Sequence, residues 1–276
     1  MIKNSFALKA LAAVSLTTLV FNTAVLDVSA GNDKYTKLYN ATLVTDGTGE
    51  FYSDLDDLLW SLPDYVQDII SPYTITLVGD SEYIETHYDD YQYSSVVGLT
   101  DFYAKKVYVE AYVDDIYQSL LGDGDSNYNY SKRFTETILI HEIGHIVDDA
   151  FGMASKKSEF SSIYYDEVET FISTEYFRTY EINDTGGVCN AEEYFCTAFA
   201  CYILSPETLS EVCPLTYEYI KTNEEKYLKN HGYNVNTGTL ISTKDSKKSN
   251  DEMIYKNARR KIIAIKNILV SIGLES

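Results

Sequence analysis

"TILIHEIGHIVDD", residues 137–149, decides how this chain is read. It holds two of the four histidines, His141 and His145, four residues apart, with Glu142 beside the first. At 100° per residue the two imidazoles fall about 40° apart on one helical face. Phe134, Asp148 and Asp149 lie near them, whereas Leu139, Ile140, Ile143, Ile146 and Val147 form an apolar stripe on the opposite face. A core histidine would sit on that stripe; these two point away from it, into solvent or a cleft. One helical turn brings two imidazole nitrogens within reach of a single tetrahedral zinc, at ~2.0–2.1 Å each. Glu142 flanks that position without binding it, where a base for a metal-activated water belongs. The plain alternative is a solvated helix face with incidental histidines.

A catalytic zinc takes three protein ligands, and HExxH supplies two. A third histidine three turns on would stand at position 151, which is Phe151, and His87 and His231 have no motif around them. A carboxylate must therefore complete the set. Glu167, in "YYDEVETF", follows His145 by 22 residues, a spacing close to that of thermolysin-type enzymes. Glu193, in "NAEEYFCTAFACYILSPETL", follows it by 48. On its own helix Glu193 shares a face with Cys196, Thr197 and Ala200, small enough to admit a close neighbour. Asn190 as N-cap with Glu193 at the third helical position is also a capping-box pattern, a purely structural use. From these residues alone both carboxylates remain open.

The chain opens with Lys3 and Lys9, an apolar stretch from Ala10 to Leu26, and then Val28-Ser29-Ala30. That pattern predicts a signal peptide over 1–30 and export to the extracellular space. Ser15, Thr17, Thr18, Asn22 and Thr23 interrupt the stretch and argue against a membrane anchor, and no later apolar run is long enough to span a bilayer. Residues 31–241 carry 12 Lys+Arg against 37 Asp+Glu, and residues 242–276 carry 8 against 4. A body this acidic repels phosphates, which excludes nucleic acid as a partner. The four cysteines, Cys189, Cys196, Cys201 and Cys213, fit disulfides in an exported chain, or free buried thiols. Their spacing lacks the paired CxxC of a thiolate zinc site.

Along 31–235 strands precede helices, which predicts an α+β domain. "SDLDDLLWSLPDYVQDII" (53–70) reads as helix interrupted at Pro63, with Ser53 as N-cap. "YTITLVGD" (73–80) reads as a strand and "YSSVVGLTDFYAKKVYVEAYV" (93–113) as a hairpin. Helices are expected near 131–150, 156–180, 190–204 and 214–229. From 236 a linker leads to a basic amphipathic helix at 253–272. Its stripe of Ile254, Ala258, Ile262, Ile265, Leu269 and Ile272 fits docking on the acidic body, with contact to an anionic membrane as the less favoured use.

"HEIGHIVDD" followed by "NAEEYFCTAFACYILSPETLSEVCPLTYEYIKTN" resembles the metalloprotease domain of the anthrax lethal factor family, gluzincins that include small secreted Pro-Pro endopeptidases. The resemblance covers about 132–228, and more loosely 53–113. It implies a zincin core with a small mixed sheet, in which the HExxH helix faces a second helix bearing the metal glutamate. It implies His141, His145 and Glu193 as ligands of one zinc and Glu142 as base. Relatives place an oxyanion-stabilising tyrosine seven residues before that glutamate; here the position is Gly186, and Tyr180 is the nearest preceding tyrosine. Thr197 stands where lethal factor has a second acidic residue.

The expected activity is thus hydrolysis of extracellular proteins, with proline-rich sites raised by the resemblance. An edge strand of the 93–113 hairpin would hold the peptide extended, and Asp148 or Asp149 would orient a ligand imidazole. The alternative is a catalytically silent, zinc-bearing adhesin or binding module. Retention of Glu142 argues against it, because a structural site needs no base.

Overall fold

A computed structural model describes residues 42–46, 52–78, 97–110, 127–174 and 190–239, all within one compact unit, Tyr39–Ser246. The fold is α+β. The expected signal peptide, Tyr180, Cys189 and the C-terminal helix lie outside the described residues.

Strand β1 (Thr42–Asp46) leads into helices α1 (Tyr52–Ser61) and α2 (Asp64–Ile70) and then strand β2 (Thr74–Val78). Pro63 separates the two helices, as expected, because it lacks the N–H that an unbroken helix would need. Gln67 repairs the break by donating its side-chain amide to Trp60 O at 3.0 Å and Leu62 O at 2.8 Å. Ser53 falls inside the first turn of α1 rather than before it. Strands β3 (Gly98–Asp101) and β4 (Lys106–Glu110) form the expected hairpin. Its turn is held by Asp101 Oδ1, which accepts from the Ala104 N–H at 2.7 Å.

The sheet order is β1-β2-β4-β3, with β1, β2 and β4 parallel and β3 antiparallel to β4. Parallel neighbours need a crossover, and α1–α2 supplies one between β1 and β2. The register aligns Gly98 with Val109 and Thr100 with Val107. Gly98 and Thr100 therefore share the sheet face of Ile75, Leu77, Val107 and Val109, all four of which are buried.

Helix α3 (Asn127–Ala150) carries the HExxH segment. It stops where Gly152, at φ +73°, allows the chain to reverse; Gly152 N–H donates to Asp149 O and Met153 N–H to Asp148 O. A 3-10 turn (Ala154–Lys156) and α4 (Ser158–Ile172) follow. Then come α5 (Ala191–Leu204), α6 (Pro206–Val212) and α7 (Pro214–Asn230). No described helix is long and apolar enough to cross a membrane.

Both faces of α3 are covered, a correction to the one-sided packing its periodicity implied. Sheet strands β3 and β4 lie against one side and α5 against another. Phe160, on α4, stacks among Tyr194, Phe195 and Tyr219 with ring centroids 4.9–5.9 Å apart, joining α4, α5 and α7. Full burial of such a ring contributes roughly 1.5–3 kcal/mol. The opening of the expected linker is a hydrogen-bonded turn, with Gly238 N–H donating to Asn234 O at 2.7 Å. Cys196, Cys201 and Cys213 are buried, and no disulfide joins these three.

Candidate metal centre

Helix α3 presents His141 and His145 on successive turns, their ring centroids 5.0 Å apart and their planes at 77°. They face the first turn of α5 in a cleft, not solvent. Asn190 caps α5, its Oδ1 accepting from Glu192 N–H at 2.9 Å and Glu193 N–H at 3.1 Å. The cap fixes the backbone at Glu193 and leaves its carboxylate to reach the histidines: Oε2 lies 3.2 Å from His141 Nε2 and 3.8 Å from His145 Nε2. One ligand atom from each of the three residues falls within 4.8 Å of the others.

The helices approach closely because Gly144 and Cys196 meet. A Cβ on Gly144 would lie 2.9 Å from Cys196 Cα and 3.1 Å from its carbonyl oxygen. The expectation of small residues on that face of α5 holds for this physical reason.

Glu142 is buried beside the cluster. Thr100, on β3, donates its hydroxyl to Glu142 Oε2 at 2.7 Å and lies 3.1 Å from the Glu142 carbonyl oxygen. Burial pushes the Glu142 carboxyl up to about 7, with the Glu193 charge acting the same way and His141 and Thr100 opposing it. Burial, aided by His141, drives His145 down to about 4, so its imidazole is neutral at physiological pH. For Glu193 burial acts upward, but the hydrogen bond from His141 and the two histidines prevail, and its carboxyl is lowered. Two imidazoles and an ionised carboxylate form the donor set a divalent zinc takes.

Two readings of the sequence change here. Asp148 does not serve an imidazole: its carboxylate accepts from Ser155 N–H at 2.8 Å and Ser155 Oγ at 2.6 Å, fixing the turn after α3. Asp149 is exposed. The His141 ring is oriented instead by Thr197, whose Oγ1 lies 3.0 Å from Nδ1. Glu167 stands apart from the cluster and caps α7, accepting from Leu215 N–H, Thr216 N–H and Thr216 Oγ1 at 2.7–2.9 Å. Gly98, Thr100 and Thr197 were not read from the sequence as contacts of this site. A glycine inside a strand pattern, as in "VVGLT", is the signal that marks close approach at Gly98.

Residues 92–223 match the family model described as anthrax toxin lethal factor, N- and C-terminal domain. Over that segment the chain is similar to the anthrax lethal factor family. The matched segment contains every residue of the cluster, together with Thr100, Glu142 and Thr197. A similar solved structure is that of the Pro-Pro endopeptidase from Paenibacillus alvei. It has a TM-score of 0.46 and 17% identity, over 67% of this chain and 98% of that one. No curated protein matches the chain.

Proposed function

We propose that the chain is a zinc-dependent endopeptidase of the lethal factor family, with His141, His145 and Glu193 as metal ligands and Glu142 as general base. The observation that carries this is the convergence of the three ligand atoms within 4.8 Å, with a second carboxylate, that of Glu142, held beside them. Ligand atoms around a tetrahedral ion at ~2.0–2.1 Å stand roughly 3.3 Å apart, so the 3.2 and 3.8 Å separations fit. A zinc held there supplies Lewis acidity toward a peptide carbonyl and lowers the pKa of water to about 7.

The chain's own groups do the rest. Thr197 accepts a hydrogen bond from the Nδ1–H of His141 and so leaves the Nε2 lone pair for the metal. Glu142 takes a proton from the attacking water and passes it to the amide nitrogen as that bond breaks. Strand β3, which no described strand pairs on its far side, offers backbone groups to an extended peptide by strand addition. The finer reading is an exported enzyme, released after Ala30, that cleaves extracellular proteins, with proline-rich sites as the first class to test and Tyr180 as a further oxyanion donor.

The test is cleavage profiling on a peptide library with zinc present. His141→Ala and His145→Ala should lose zinc by elemental analysis. Glu142→Ala should keep zinc and lose cleavage, because it removes the base and leaves the ligands. A Glu142→Ala protein that still turns over peptides normally would exclude Glu142 as the base.

A further inference from the structure

The geometry points to Thr100 as the positioning residue of the general base, with Gly98 clearing the space it needs. This inference rests on reading the site as a peptidase centre.

Gly98 and Thr100 occupy alternate positions of β3 and share the face turned toward α3. The Thr100 hydroxyl donates to Oε2 of Glu142 at 2.7 Å. A Cβ on Gly98 would come within 2.5 Å of the other carboxylate oxygen, Oε1, and 2.7 Å of Ile138 Cγ2. One oxygen is therefore tethered and the other lies against bare backbone, where any side chain would expel it. A glutamate has enough rotatable bonds to leave the reaction path, and this seat removes that freedom before substrate arrives.

The seat belongs to the strand that would carry the peptide. Register between the base and the scissile carbonyl is then set within one short strand, not across two independently moving elements. Thr100 does this by holding Glu142, without contact to reacting atoms.

Thr100→Val keeps shape and β-propensity and deletes the donor; Thr100→Ser keeps the donor. If Thr100 positions the base, Thr100→Val loses kcat by roughly 10- to 100-fold. KM should stay within about twofold, with zinc content and melting temperature unchanged, and Thr100→Ser should recover most of the rate. A wild-type kcat in Thr100→Val, a loss confined to KM, or a serine variant no better than valine overturns the proposal. Failure of the peptidase reading looks different: the wild-type, zinc-loaded chain cleaves nothing. The positioning role then still faces a structural test, since crystals of wild type and Thr100→Val should place the Glu142 carboxylate differently. An unmoved carboxylate refutes it.

Discussion

Thr197 brings its hydroxyl to His141 Nδ1 from the interior of α5, completely buried. A hydroxyl there is a weaker partner for an imidazole than a carboxylate, yet its loss would leave Nδ1 buried without that partner. Thr197→Val should therefore weaken zinc affinity roughly 10- to 100-fold, measured by chelator competition. Asp148→Asn should do the opposite: stability falls by about 1–3 kcal/mol in urea unfolding, because a side-chain amide meets the Ser155 donors, while zinc affinity holds. A loss of zinc affinity in Asp148→Asn would return that aspartate to the imidazoles. His141, Glu142 and His145 were legible because one helical turn imposes their spacing. Which aspartate or threonine serves an imidazole was not, since Asp148 shares the histidine face and is diverted only by a turn that forms beyond the helix. Thr100 was hidden for a related reason: it meets Glu142 across 42 residues, and strand-to-helix contacts leave no periodic trace.

Helices α3 and α5 form the element pair on which the site depends, and Gly144 sets their separation. Gly144→Ala should cost about 1–3 kcal/mol through overpacking against Cys196. It should also draw Glu193 away from the histidines, so a chelator titration should register weaker zinc binding. Glu167→Gln tests the other carboxylate. It loses the charge that caps α7 and should lower the melting temperature by several degrees, without changing zinc stoichiometry. Should Glu167→Gln lose the metal while Glu193→Ala keeps it, the ligand assignment is reversed. Elements bounded by punctuation or alternation were readable: the break at Pro63, the hairpin around Asp101, and the helix capped by Asn190. Strand β1 was missed because five residues, "TLVTD", carry little pattern until β2 pairs with them. Helix α6 was missed although Ser205-Pro206 opens it with proline in the first turn, because seven residues show too little periodicity to outweigh a loop reading.

At the scale of the whole molecule, zinc is expected to act as a folding ligand, because its donors come from two helices that the unfolded chain does not bring together. Free zinc at a hundred times its dissociation constant would add about 2.7 kcal/mol. Chelation should accordingly lower the melting temperature of the wild-type chain and leave that of His141→Ala unmoved; equal shifts in both would place the effect elsewhere. The same association has a chemical signature. Cys196 lies beneath Gly144 where the two helices press together, and burial holds its thiol well above the usual range; burial pushes Cys213 up to about 11. Neither sulfur can meet an alkylating reagent until its surroundings open. Iodoacetamide labelling followed by mass spectrometry thus times the parting of α3 from α5 at Cys196, and the loosening of the α4–α7 junction at Cys213. Zinc should slow the first clock far more than the second, since the metal would bridge only the first pair of helices.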